Sequence, residues 1–287
     1  PAGLTFTPGY RHVKIWTDSI IGQIDWEPKN DTALYTSEYF GIVSCNGPLN
    51  GVYAIGNVTG ITSDRTFGNF KEAFAMLKGC GVSGPVTFKV LNLPVGTFYT
   101  DTIIFPINIV GASITNYIKF ASASPTQYVN LKPMRTTNKS YDFAGAKYLK
   151  FEKINFYSAD SFAVVNDTLI PGVANIIEMN NQTSNIEFKD CGFIRNPNSN
   201  NVNPNYFINI GAAKYITIDS CKINGNAFLN HIYISGNSPT NLTEGITIKK
   251  SSFTNFNNES ISINYSKDVV IEKNEFINNL TTFSYTN

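Results

Sequence analysis

Charge is scarce in this sequence. Only 15% of its 287 residues are Asp, Glu, Lys or Arg, and 22 basic residues against 21 acidic ones leave a formal charge of +1. An average globular chain carries roughly 25%. With four arginines and no basic run, the chain lacks the concentrated Lys/Arg surface that tracks phosphates, which argues against nucleic acid as a partner. Cysteine is scarce too. The four present include no C-x-x-C pair, so there is neither a zinc nor a redox motif, nor enough for a disulfide-built scaffold. Cys45 and Cys80 flank the start of the regular part of the chain, where a bridge fits an exported protein. No apolar run approaches the ~18 residues of a membrane span; the longest, Ile103 to Val110, is broken by Pro106 and Asn108. The chain begins at Pro1 without a charged and apolar leader, and reads as a mature fragment of a longer chain.

What fills the gap is asparagine: 36 residues, 26 of them from Phe151 onward. With 42% hydrophobic and 13% aromatic residues, the chain is still able to bury a large core and is not a disordered segment.

The second half repeats. Leu149-Lys-Phe151-x-x-Ile154-x-Phe156 recurs as Ile186-Glu-Phe188-x-x-Cys191-x-Phe193, Ile216-Thr-Ile218-x-x-Cys221-x-Ile223, Ile246-Thr-Ile248-x-x-Ser251-x-Phe253 and Val269-Val-Ile271-x-x-Asn274-x-Phe276. Apolar residues at the first and third places share one side of a strand; a bend follows, then a small residue and a large apolar one. Upstream of four repeats lies another short apolar strand: Ile176 to Met179, Phe207 to Ile210, Ile232 to Ile234, and Ile261 to Ile263. No such unit buries its inner face alone, so successive units must stack, which predicts a parallel β-solenoid. Asn/Pro/Ser runs such as Arg195 to Asn205 are loops leaving the stack.

Stacking aligns equivalent residues in columns about 4.8 Å apart. One outward column reads Glu152, Lys189, Asp219, Lys249, Glu272, alternating in sign at every step. The corner column Ile154, Cys191, Cys221, Ser251, Asn274 holds small inward side chains, and parallel inward cysteines are expected to stay free thiols. Farther upstream, Phe67, Phe70, Ala73, Phe74 and Leu77 recur at helical spacing. This predicts an amphipathic helix over 66–79 that caps the open end of the stack, followed by a strand Val86 to Val90 that opens the first coil.

The run Cys45-Asn-Gly-Pro-Leu-Asn-Gly-Val-Tyr-Ala-Ile-Gly56, the helix ending Leu77-Lys-Gly-Cys80-Gly-Val-Ser-Gly-Pro-Val-Thr-Phe88, and Gly96-Thr-Phe-Tyr-Thr resemble segments of exported bacterial surface proteins with right-handed parallel β-helix domains. The five repeats more broadly resemble the pectin lyase-like β-helix superfamily. The resemblance covers about Cys45 to Phe276 and implies an all-β, right-handed parallel β-helix with an N-terminal capping α-helix, secreted or held at the cell surface. That superfamily includes lyases, hydrolases, adhesins and non-catalytic stalks, so the resemblance implies fold more than activity. Residues 1–44 read as an N-terminal extension and 45–287 as the β-helix domain, with further domains of the same parent chain expected.

A calcium-dependent lyase needs converging carboxylates with a basic residue beside them. The nearest approach to that set is Asp190 and Asp219 with Arg195 and Lys222, against which stands a surface role in a solvated charge ladder. Ca²⁺ enters only under that lyase alternative; otherwise neither cofactor nor metal is expected. A glycosidase pair drawn from Asp160, Asp167 and Glu178 has no fixed separation, and the two histidines, His12 and His231, form no triad. Tyr157, Tyr206, Tyr233 and Tyr265 are candidates for stacking on sugar rings, set against ordinary strand packing. The expectation is a non-catalytic scaffold or adhesive module contacting a polysaccharide or cell-surface glycan, with a carbohydrate-active enzyme on acidic polysaccharide as the alternative.

Overall fold

The computed structural model describes residues 47–100, 108–132, 139–143, 145–158, 175–180, 182–195 and 206–277, with Cys45, Phe105 and short strand segments at 9–11, 15–16, 32–33, 40–42, 163–165 and 168–170. Asp160 and Asp167 lie outside the described residues, as does His12. The chain divides into two compact units, Pro1–Gly47 and Pro48–Asn287. In the first, Gly9–Arg11 pairs antiparallel with Phe40–Ile42, and Ile15–Trp16 with Thr32–Ala33.

The second unit is all-β apart from its short helices, a stack of coils whose strands form extended parallel sheets. One nine-stranded sheet makes the first face, running from Thr66–Phe67 through Leu49–Ile55, Val82–Val90, Ile118–Ser122, Lys147–Glu152, Ser184–Lys189, Lys214–Asp219 and Thr243–Lys249 to Ser266–Glu272. The other nine-stranded sheet is spread over two faces. Its long strands Lys222–Ser235 and Ser252–Asn264 serve both, pairing through their first residues with Gly192–Ile194 and Glu275–Ile277, and through their later residues with the line that includes Tyr206–Gly211.

The register follows the repeats residue for residue. Leu149 pairs with Ile186 and that with Ile216; Phe151 pairs with Phe188, then Ile218, Ile248 and Ile271. On the second face Phe156 pairs with Phe193, Ile223, Phe253 and Phe276. These inward residues stack ring upon ring: Phe88 on Phe120 at 5.0 Å, Phe120 on Phe151 at 5.7 Å, Phe151 on Phe188 at 5.3 Å and Phe156 on Phe193 at 5.5 Å. Such parallel stacking follows from the coil spacing, which fixes the ring separation.

In the five repeat coils the turn from the first face to the second is one left-handed residue: Lys153, Asp190, Ser220, Lys250 and Lys273 all have φ between 50° and 57°. The small corner side chain that follows is used for bonding. Ser251 Oγ accepts from the Cys221 amide at 3.0 Å, and Asn274 Oδ1 accepts from the Ser251 amide at 2.9 Å. Cys191 and Cys221 are buried free thiols, as the column argument required, whereas Cys45 and Cys80 are disulfide-bonded.

Two upstream elements differ from expectation. Leu49–Ile55 precedes Val82–Val90 in the first face, with Tyr53 opposite Phe88 and Ile55 opposite Val90, so Val86 does not open the stack. The helix spans Phe70–Cys80, shorter at its start than the predicted 66–79, because Thr66–Phe67 pairs with Ala54 and Ile55. Asn69 accepts from the Glu72 amide at 2.9 Å while Glu72 accepts from the Gly68 amide at 2.7 Å, a reciprocal cap that fixes the first turn. Phe70 and Phe74 both pack on Phe120. Among the described residues no helix is long and apolar enough to cross a membrane.

Candidate functional site

The outer edge of the first face carries the alternating column. Glu152 pairs with Lys189, Lys189 with Asp219, Asp219 with Lys249 and Lys249 with Glu272. Lys249 Nζ lies 3.5 Å from Asp219 Oδ2, and Ser220 Oγ donates to Asp219 Oδ1 at 3.0 Å. Glu152 takes its ion pair diagonally, from Lys119 on the preceding coil, and that hydrogen bond holds its carboxyl below the usual carboxylate range.

Asp190 occupies the bend itself, and its amide donates to the Asp219 carbonyl at 2.9 Å. Its carboxylate is held on both oxygens, by Lys153 Nζ and by the Tyr128 hydroxyl, each at 2.5 Å. Partial burial acts to raise its pKa, but these two donors prevail and the net shift is downward. The same arrangement, with burial foremost, pushes Tyr128 up to about 12. Of the other two predicted residues, Lys222 opposes Gly192 and adds positive charge near Asp190. Arg195 follows the strand Gly192–Ile194, where its amide donates to the Asn224 carbonyl at 3.2 Å and burial lowers its pKa. The bend therefore collects Asp190, Asp219 and Lys222, while Arg195 belongs to the far end of the second face. Glu178 faces outward elsewhere, accepting from Asn209 Nδ2 at 3.0 Å.

The tyrosines separate. Tyr206 and Tyr233 meet as a stacked pair, centroids 4.2 Å apart and planes inclined by 13°. Tyr157 is half-buried with its ring edge-on to Phe98 at 5.0 Å, and burial raises its pKa. Tyr265 is exposed at a turn whose carbonyl accepts from Gly236 and Thr243. His231 is fully buried against Phe253 and Phe256.

A more concave feature lies on the first face. One residue ahead of each inward Ile118, Leu149, Ile186, Ile216 and Ile246 stand Tyr117, Tyr148, Asn185, Tyr215 and Gly245, and from Tyr148 onward these residues have positive φ. Two successive rings are followed by Asn185, Tyr215 and Gly245, and the short or absent side chains on either side of Tyr215 open a groove of about 310 Å³ along the stack. Its floor includes Lys150, whose Nζ sits 4.4 Å from the Tyr117 ring centroid and 3.0 Å from Glu187 Oε2. Tyr215 is 52% exposed. The repeat pattern does not single out this column; its signal in the sequence is the tyrosine just ahead of the first inward residue at Tyr117, Tyr148 and Tyr215.

The chain matches no protein-family model, no curated protein and no solved structure.

Among the described residues no three His, Cys, Asp or Glu side chains gather where they could hold a metal ion. The donor set at the bend does not fit Ca²⁺: Asp190 and Asp219 are each tied to a lysine, and oxygen-rich coordination needs carboxylates free to converge. Chemically, the bend offers neutralised charge and the groove offers aromatic faces beside amide and hydroxyl groups.

Proposed function

We propose that this chain is a non-catalytic scaffold or adhesive module of an exported bacterial protein, its outer faces contacting glycans. In this reading the stack is a right-handed parallel β-helix of the pectin lyase-like kind, the hand that parallel crossovers take almost without exception. The helix Phe70–Cys80 shields the N-terminal end of its core. The observation that carries the proposal is the in-register column Glu152, Lys189, Asp219, Lys249, Glu272. Acids answered by cations on neighbouring coils stabilise a surface, whereas an acid–base pair for sugar cleavage needs carboxylates free to titrate and to reach substrate. Disulfide-bonded Cys45 and Cys80 support secretion or cell-surface display, since such bonds persist in oxidising compartments.

The test combines a glycan array with a depolymerisation assay on pectin and alginate. Binding without product is the expected result. Product formation abolished by Asp219→Ala or Asp190→Ala, in variants that keep the wild-type melting temperature, would favour the alternative of an enzyme on acidic polysaccharide and overturn the proposal.

A further inference from the structure

The groove on the first face has a composition that selects among glycans. Its ring-bearing positions lie on one column, so Tyr117, Tyr148 and Tyr215 are set by the coil repeat, and the column from Tyr117 to Gly245 runs about 19 Å at ~4.8 Å per coil. That length accommodates a short run of pyranose rings lying along the stack axis. The ring of Tyr215 lies against Gly245: a Cβ there would come 2.7 Å from its Cδ1 and 3.1 Å from its Cε1. Gly245, at φ +68°, thus leaves the space that the ring edge occupies. At 52% exposure Tyr215 presents accessible aromatic surface beside that gap, which suits recognition by stacking.

The charge in the groove is spent internally. Lys150 bonds to Glu187 at 3.0 Å and lies over Tyr117 at 4.4 Å, so its ammonium is matched by a carboxylate on the next coil and an aromatic face beside it. An incoming uronate would meet Glu187 as well as Lys150, gaining little attraction while its own carboxylate loses water. A neutral sugar brings hydroxyls that suit Asn185, Thr217 and Glu187 and apolar C–H faces that suit the tyrosines. We infer that the groove bounded by Tyr117, Tyr148 and Tyr215 binds a neutral oligosaccharide, its pyranose rings stacked on the tyrosines and its hydroxyls held by Asn185 and the Lys150–Glu187 pair. This rests on the glycan-contact reading above and narrows it to one site and one ligand class.

The experiment uses calorimetric titration of the whole chain with four neutral tetrasaccharides (cellotetraose, maltotetraose, mannotetraose and fully N-acetylated chitotetraose) and with tetragalacturonate. At least one neutral probe binds, and tetragalacturonate binds at least about tenfold more weakly. Tyr215→Ala, with melting temperature unchanged, weakens the neutral probe about tenfold, the loss expected for one well-placed aromatic face. Gly245→Ala weakens it too by displacing that ring, and Val95→Ala in an exposed loop outside the groove leaves it unchanged. Tetragalacturonate binding as tightly as the neutral probes, with the same dependence on Tyr215, overturns the ligand class and leaves glycan contact standing. Binding indifferent to Tyr215→Ala overturns the site. Failure of all five probes overturns the inference, and the separate glycan array then decides whether the broader reading falls with it.

Discussion

Replacing Phe188 by alanine tests whether the stack is held together by its continuous inner column. Phe188 is fully buried and touches four rings: Phe143 at 5.7 Å, Phe151 at 5.3 Å, Phe156 at 5.6 Å and Phe193 at 5.3 Å. Burying a phenylalanine and then deleting it costs about 3–5 kcal/mol, depending on how far the surroundings close over the void. Here they cannot close, because Phe151 and Ile218 on either side are fixed in register through their own backbone ladders; the upper end of that range is expected. The control is Phe276→Ala in the last described coil, where the ring is 48% exposed and stacks on Phe253 at 4.9 Å. With half the area to lose, it costs about 1 kcal/mol. Urea titration followed by circular dichroism reads both. Because each coil contacts only its neighbours, weakening a middle coil also splits the transition into two blocks, seen as a lower m-value. If Phe188→Ala costs no more than Phe276→Ala and leaves the slope unchanged, the stacked core is not what holds the coils together.

Acid should act in two stages. Burial holds His231 down at about 4 from its ordinary 6.5, and among the described residues neither ring nitrogen has a hydrogen-bond partner; the unfolded chain takes up that proton first, so stability is full above pH ~6.5 and falls by about 3 kcal/mol toward pH ~4. His231→Phe should flatten urea midpoints across that window, and an unchanged slope would refute the assignment. Asp190 and Glu152, whose folded pKa values are depressed, contribute stability above their unfolded values near 4 that is lost only as pH falls through the folded ones. Cys191 and Cys221 are buried, with burial raising the Cys191 pKa, so an aromatic disulfide reagent should titrate two thiols only after denaturation; rapid reaction in the folded state would contradict their placement.

The five repeats were legible because two constraints coincide in them: alternation along each strand and recurrence of the small corner residue three places after the second apolar one. That is why the column Glu152 to Glu272 could be written down from the sequence. Leu49–Ile55 escaped because it lacks the corner-and-aromatic tail of the later repeats, and its register with Val82–Val90 shifts between Leu49 and Gly51 before running evenly to Ile55. The helix start was misjudged since Phe67 continues the apolar spacing of Phe70 and Phe74; only the cap at Asn69 separates a strand from a helix there. The groove was hidden for a different reason. Tyr117, Tyr148 and Tyr215 stand just ahead of the first inward residue of each repeat, where the left-handed backbone at Tyr148 and Tyr215 interrupts period-two alternation, so periodicity says nothing about which way those rings face. Asp190 and Asp219 lie on adjacent coils in different columns, as their spacing implies, but the groups that hold the Asp190 carboxylate, the Lys153 ammonium and the Tyr128 hydroxyl, come from different coils and carry no common spacing.

The coil spacing has a mechanical consequence. Successive first-face strands such as those at Ile186, Ile216 and Ile246 are joined by 30 residues of chain yet lie only ~4.8 Å apart. The ladders between coils run parallel to the stack axis, so tension along that axis would peel one coil at a time, and each release would let out roughly 100 Å of extended chain. A tether built this way yields in steps and dissipates work at each one, lengthening by about twentyfold per coil before the next must open.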